Sequence, residues 1–564
     1  MKLLWGKWRN ASFVCVLLFV LSWVFTAVQK AEGALSPLPP VLEPPTGILE
    51  TKQGMHPKID SRVMSSLASD ALPSASALHA DSSSSSKKPE ALETAPSRML
   101  VLRLDAQMGE TAAVRHAVEE VGGEIEIEYD GVLQALIPAD RVERLAHFSS
   151  VRYISFPTLA REDAISGEGV PYTNAVAWHN GGITGEGVSV GIIDVGFSAW
   201  STAEKNGDVP EPAATLNHCD AGFSLASKHG TAVAEILHET APAAELYLAC
   251  IDTDLEFASA YLWLRQQGVR VISTSISWDE WPADGHGGPG SPESVVSTAR
   301  QDGIFWTTSA GNHAMRHWGG TFQDNDGNGR HDFVPGAEAN GFVIPANESR
   351  EIVLKWHDWP ISAVDYDLFL YDENAKLVAS STNYQTGSQP PLEILEYKNT
   401  SARAGHYWIV IEDHGSKQAV AGEKEKTGKT APHIDLYVRS AILLYQTRSS
   451  SIVSPAASPH VMAVGAIYWG NDTLEFYSSR GPTLDGRRKP DIVAPARVAS
   501  LSYNYFSGTS ASTPHVAGAA ALLLERFPEK SPEDVEQQLL SWALDLGLPG
   551  PDNAYGAGRL FLPW

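Results

Sequence analysis

The chain changes its hydrophobic rhythm several times, and each change marks a different kind of element. Residues 11–28 are apolar and uncharged, with Lys2, Lys7 and Arg9 before them and Ala31, Gly33 and Ala34 after. Basic, then apolar, then small is the order of an export signal. The apolar part is also long enough for a membrane span, so cleavage near 31–34 and retention of 1–34 as an anchor both stay open. From 35 to 97 periodicity is lost: Pro37, Pro39, Pro40, Pro44, Pro45 and the run Ser82 to Ser86 predict a flexible Pro/Ser-rich linker.

Regular patterns return at 98–160. Alternation over 99–104, helical spacing through Val114, Ala117 and Val118, strands over 123–129 and 132–138, a helix over 142–148 and a strand over 151–154 predict a small α/β domain. Residues 165–320 and 451–564 read differently. Near-continuous apolar runs at 187–196, 244–250, 271–278 and 304–308, and a helix whose Val233, Ile236 and Leu237 share one face, predict strands of a parallel sheet buried on both faces. Between them, 321–450 alternates strictly at 351–356, 365–372, 376–379, 392–397, 406–411 and 433–438, with Gly, Asn and Ser turns. That is the pattern of an inserted all-β sandwich or jelly roll. The predicted fold class is α/β, a doubly wound parallel sheet preceded by the small α/β domain and interrupted by the all-β sandwich.

Charge and cysteines narrow the partners. With 67 acidic against 42 basic residues the net charge is -25, which argues against nucleic acid and anionic membrane as partners and suits an exported protein. Membrane attachment is expected only through 11–28. Cys219 and Cys250 lie in the exported part, where a disulfide and two buried thiols are both compatible with the sequence.

The chemistry gathers around Phe506-Ser507-Gly508-Thr509-Ser510-Ala511-Ser512-Thr513-Pro514-His515. A Ser behind Gly-Thr at a helix start, followed by small residues, presents an unobstructed hydroxyl beside its own backbone N–H. A lone G-T-S is more often a capped helix, and a Ser hydroxyl needs an imidazole and a carboxylate to become a nucleophile. Asp194 ends an apolar strand, His229 opens a helix in His229-Gly230-Thr231, and Asn312 closes Ser309-Ala310-Gly311-Asn312 after another strand.

These pieces, in this order, resemble the subtilisin-like serine peptidases (subtilases). The resemblance covers roughly 170–312 and 450–564 and includes Ser478-Ser479-Arg480-Gly481-Pro482 and Lys489-Pro490-Asp491-Ile492-Val493-Ala494-Pro495. It implies a secreted endopeptidase working through an acyl-enzyme, in which Asp194 orients, His229 is the base, Ser510 attacks and Asn312 completes the oxyanion hole. It also implies substrate binding at Ser275, Ile276, Ser277, Ala310 and Gly311. His229 in its His-Gly-Thr setting separates the chain from the sedolisin-like enzymes, which use an acid there. Two features depart from the family. Val195 follows Asp194 where Ser or Thr is usual, so backbone N–H groups must satisfy the carboxylate; Ser277 and Trp278 stand where Gly is common and are expected to narrow the substrate pocket.

By the same resemblance 98–160 is a propeptide domain that blocks the cleft until cut, the other reading being an accessory domain kept in the mature protein. The chemistry calls for no cofactor, and the expected partners are protein or peptide substrates of a monomer. Asp324, Asp326, Asn328 and Asp332 have the spacing of a structural calcium loop, but Pro335 stands where a bidentate Glu is expected, and a solvated acidic turn fits as well. The alternative from another functional class is a silent secreted binding protein that uses the all-β insertion.

Overall fold

The computed structural model of the chain describes residues 56–68, 98–158, 161–162, 168–414 and 431–564. The signal or anchor at 1–34 and most of the linker at 35–97 lie outside the described residues. The linker reading needs one correction. Residues 56–68 include helix α1 (Ser61–Ala68), and Ile59 and Val63 join the core that holds Leu102, Leu104 and Ile154. Backbone bonds from Asp60 N–H to the Ile154 carbonyl and from Ile154 N–H to that of Lys58 fix it there. The apolar pair supplies burial that the surrounding Ser and Pro residues cannot.

The next unit runs strand, helix, strand, strand, helix, strand: β1 (Met99–Ala106), α2 (Thr111–Glu120), β2 (Glu124–Tyr129), β3 (Val132–Pro138), α3 (Val142–Ala146) and β4 (Val151–Ser155). Its antiparallel sheet has the order β2-β3-β1-β4, and Val114, Ala117 and Val118 of α2 pack against it. A short strand, β5 (Arg161–Glu162), follows.

The central sheet is eight-stranded and almost wholly parallel. It holds β6 (Ser189–Asp194), β7 (Ala214–Asn217), β8 (Glu245–Cys250), β9 (Val271–Thr274), β11 (Phe305–Ser309), β20 (Met462–Tyr468), β21 (Thr473–Leu474) and β22 (Ile492–Ala496), while β10 (Ile276–Ser277) lies just after β9. The order β21-β20-β11-β9-β6-β8-β7, with β22 on β20, reverses direction at β6. A crevice forms at such a reversal, beyond the carboxyl ends of the strands. Four helices matter here: α4 (His229–Thr240), α5 (Asp254–Gln267), α6 (Pro292–Gln301) and α7 (Thr509–Arg526). Helix α7 is buried along almost its whole length, which its run of Ala and Leu allows.

Eight strands build the inserted part: β12 (His317–Thr321), β13 (Asn340–Ile344), β14 (Ser349–Trp356), β15 (Tyr366–Asp372), β16 (Leu377–Ser381), β17 (Leu392–Lys398), β18 (Gly405–Asp413) and β19 (His433–Val438). They form two antiparallel sheets, β12-β19-β14-β17 and β13-β18-β15-β16. Trp318, Leu354, Trp356, Leu436, Leu368 and Ile409 come from both sheets into one core, as two sheets packed face to face require. The first strand starts at His317, ahead of position 321, because His317 to Thr321 pair with β19. First and last strands are therefore neighbours, so the insertion leaves and rejoins the central domain side by side. It is also bolted down. The fully buried Lys355 donates its Nζ to the Trp281 carbonyl at 2.5 Å, and Arg439 grips Asp279, Glu280 and Glu351.

Candidate active site

Asp194 is the last residue of β6, at the sheet's reversal point, and His229 is the first of α4. Their approach depends on Gly230. A Cβ there would lie 2.7 Å from the Gly196 carbonyl oxygen and 2.8 Å from the Asp194 Cβ, so any larger residue would push the helix away. As built, Asp194 Oδ1 stands 2.7 Å from His229 Nδ1, and both side chains are 0% exposed. An Nδ1–H donating to the carboxylate leaves Nε2 as the basic nitrogen. Val195 makes its departure visible. Its backbone N–H donates to the same Oδ1 at 2.8 Å, while Oδ2 has no hydrogen-bond partner among the described residues.

Ser510 sits in the first turn of α7, where backbone N–H groups have no carbonyl of their own helix to meet. Gly508 precedes the helix at φ +96°, a conformation that costs a residue with a Cβ, and donates its N–H to the Tyr477 hydroxyl at 2.7 Å. Asn312 faces the same turn. Its Oδ1 accepts from Thr509 N–H at 3.0 Å and from Thr509 Oγ at 3.3 Å, which leaves the Nδ2 hydrogens as its donors. The Ser510 hydroxyl donates to the Ser275 carbonyl at 3.1 Å, and the Ser275 hydroxyl donates back to the Ser510 carbonyl at 3.1 Å. Lower in α7, burial pushes His515 down to about 4, so this imidazole is neutral.

Ile276 and Ser277 are β10, and they pair antiparallel with Glu162 and Arg161 of β5. Ala310 donates its N–H to the Val464 carbonyl, and Gly311 to Thr509 Oγ at 3.2 Å, so both serve the turn that carries Asn312. Trp278 does not narrow a pocket. Its ring lies in the core against Phe257, edge-on at 4.9 Å, because the alternation of the strand turns it away from the cleft. The small α/β domain rests beside β10 on the start of α5. Arg103 Nη1 meets Asp254 Oδ2 at 2.6 Å, and Gln134 bonds both Thr253 and Glu256, the residues of a capping box. Burial pushes Glu256 up to about 7.

The acidic loop turns inward on itself. Asp324 accepts from the N–H groups of Gly327, Asn328 and Gly329, Asp326 from Asn328, and Asp332 from Asn325. Among the described residues no three His, Cys, Asp or Glu side chains converge to hold a metal ion. Cys219 and Cys250 are joined in a disulfide, and Cys250 lies beside Asp194 in the register of β6 and β8. Ser275, expected to bind substrate, also accepts from the Ser510 hydroxyl, and two participants were not singled out from sequence: the Tyr477 hydroxyl and the β5 strand. Only Tyr477 carried a signal, standing directly before Ser478-Ser479-Arg480-Gly481-Pro482.

Comparison with known proteins bears on the second half of this site. The Subtilase family matches residues 418–558, a span that contains Ser510. Serine protease AprX of Bacillus subtilis is 38% identical over 138 residues, 20% of this chain and 31% of AprX. Subtilisin amylosacchariticus of Bacillus subtilis subsp. amylosacchariticus is 39% identical over 99 residues, 18% of this chain and 26% of that protein. An extracellular serine protease of Serratia marcescens is 45% identical over 60 residues, 11% of this chain and 6% of that protein. The matched part thus spans about a third or less of each of these relatives. Among solved structures, that of the Clostridium perfringens CspB protease aligns over 70% of this chain and 97% of its own, with 16% identity and a TM-score of 0.49.

Proposed function

We propose that the chain is a subtilase, an exported serine endopeptidase made as an inhibited precursor, a reading supported by its match to that family over residues 418–558. The observation that carries this reading is the buried Asp194–His229 pair at 2.7 Å, set in the crevice that also receives the first turn of α7.

The steps follow from the groups present. Ser510 Oγ releases the Ser275 carbonyl, gives its proton to His229 Nε2 and attacks the peptide carbonyl carbon. Negative charge develops on the carbonyl oxygen, where the Ser510 N–H and the Asn312 amide donate. The imidazolium, held by Asp194, returns the proton to the leaving amine as the carbon–nitrogen bond breaks. Water repeats the sequence on the acyl-enzyme, with His229 as base, and frees the acid. Substrate backbone is held as an added antiparallel strand on Ile276 and Ser277. In the precursor β5, just past 98–160, takes that place, which makes the small domain together with β5 an inhibitory segment and its removal the activating step. Export follows from the apolar 11–28 segment with its basic flank.

The test is covalent labelling with a fluorophosphonate. Wild type incubated until it matures is expected to be labelled at Ser510 and to start between 156 and 169, while Ser510→Ala stays unlabelled and uncut at that junction. A mature wild type that neither reacts nor cleaves peptides overturns the proposal.

A further inference from the structure

A cavity of about 960 Å³ opens beside the nucleophile helix, with Asn312 and Gly508 in its lining. Part of that lining does not belong to the central α/β domain. Ser440, Ala441 and Ile442, just past the last strand of the insertion, form it together with Arg316, just ahead of the first. Around the rim Ile442 is 54% exposed, Phe476 53% and Tyr505 69%. A grouping of bare apolar side chains rimmed by polar ones marks a binding surface more often than idle surface. Arg497 in the cavity is tied to Glu475 at 2.6 Å, whereas Arg316 has no ion-pair partner among the described residues.

The course of the chain gives the cavity a direction. The pairing of Arg161 with Ser277 and of Glu162 with Ile276 runs β5 toward Ser275, whose carbonyl holds the Ser510 hydroxyl, and Glu168 lines the cavity. A polypeptide crossing the nucleophile in that sense has its N-terminal part on β10, the acyl side, and its C-terminal part in the cavity, the side of the leaving amine. Glu168 is also an acid placed in a cavity that holds two arginines, Arg316 and Arg497.

Resting on the endopeptidase reading above, we propose that this cavity binds substrate residues on the leaving-group side of the scissile bond, taking a large apolar side chain against Ile442, Phe476 and Tyr505 and a carboxylate beside Arg316. The inserted module is then a wall of the substrate cleft and sets specificity. Area and charge both favour this occupant: apolar burial supplies affinity, and a half-buried guanidinium without a carboxylate discriminates by sign.

The experiment uses mature wild-type enzyme and internally quenched peptides that share one acyl-side sequence and carry Glu or Lys, in turn, at each of the first three positions after the scissile bond. At one of them Glu is expected to exceed Lys in kcat/KM by about 5- to 10-fold. Arg316→Gln should level that ratio and Arg316→Glu invert it, and a ratio within one enzyme is immune to changes in overall activity. Ile442→Ser should lower the preference for Phe or Leu over Ala at a neighbouring position. A chromogenic peptide amide, which has no leaving-side residues, separates the two readings in wild type. If it is not hydrolysed, both the endopeptidase reading and this one fall. If it is hydrolysed while Glu and Lys are treated alike, or Arg316→Gln leaves the ratio in place, this inference alone is overturned.

Discussion

The molecule contains two buried Asp–His pairs that are nearly the same in geometry and differ at the second ring nitrogen. In the central domain Asp194 Oδ1 lies 2.7 Å from His229 Nδ1; in the inserted module Asp435 Oδ1 lies 2.8 Å from His317 Nε2; all four side chains are 0% exposed. The difference is at the other nitrogen. His317 Nδ1 faces the Thr447 carbonyl at 2.7 Å, so both ring nitrogens meet acceptors and both must carry hydrogens. The ring is a strut, hydrogen-bonded at both nitrogens, between β12, β19 and the 447 loop. In the proposed reaction His229 turns Nδ1 to the carboxylate and uses Nε2, across the ring, for proton transfer. A carboxylate–imidazole pair is therefore no mark of catalysis until the second nitrogen has been accounted for.

The comparison breaks most sharply by removing each imidazole. His229→Ala is expected to lower kcat/KM on a small peptide by about 10⁴- to 10⁶-fold, with a loss of stability as well because the buried Asp194 carboxylate loses its partner. His317→Ala is expected to keep activity within tenfold: it leaves Asp435 with His433 at 3.2 Å and His357 at 4.0 Å, and should cost about 3–5 kcal/mol in unfolding free energy. Denaturant unfolding and a peptide assay on the same two proteins decide it. If His317→Ala loses activity as His229→Ala does, the strut reading is wrong.

Asn312 tests the boundary between the two regions, lying in the site but only a few residues before His317. Asn312→Ala is expected to lower kcat by about 10²–10³-fold with KM little changed, the loss of one oxyanion donor. Because Asn312 Oδ1 also holds Thr509, Asn312→Asp should keep that acceptor yet still lose the donated hydrogen. Near-wild-type turnover in Asn312→Asp would reduce the residue to an anchor.

What could be read from sequence divides along the same line. Asp194, His229, Asn312 and Ser510 stand in local motifs because each sits where a strand ends or a helix begins, and such places need particular small neighbours: Gly230 for close approach, Gly508 for a positive φ. The alternation of the insertion's strands was equally plain, since period 2 follows from burying one face of a sheet. Lys355, Arg439 and Asp435 were not legible as buried ions. Each is set by partners far along the chain, Trp281, Asp279 and His317, and no local spacing announces them. Trp278 misled for a related reason: a Trp beside a cleft and a Trp facing the core differ only in strand register, which the neighbouring residues decide. The helix at 61–68 was hidden by the Pro and Ser residues around it.

Acid should act on both regions alike, and this is the weakest separation expected. The module buries His331 and the central domain buries His515, each pushed down by burial to about 4. Both are neutral when folded, whereas the unfolded chain takes up the proton near its ordinary value of about 6.5. Between those values the unfolded state binds more protons, so stability is full above about 6.5 and drains as pH falls toward 4, by up to about 2–3 kcal/mol for each histidine. The Asp435 carboxylate does not contribute in this window: burial alone would raise it, but His317 and His433 hold it far below the usual carboxylate range. Thermal unfolding at pH 7, 6, 5 and 4 should therefore show one shared decline. His331→Phe, which keeps a ring among Trp318, Phe322 and Phe333 but cannot be protonated, should flatten the slope of the module's transition while leaving that of the central domain. It should also lower stability slightly at pH 7, because the Gln323 N–H now bonded to His331 Nδ1 at 3.0 Å loses its acceptor. An unchanged slope in His331→Phe would place the acid sensitivity elsewhere and leave the module's core indifferent to pH.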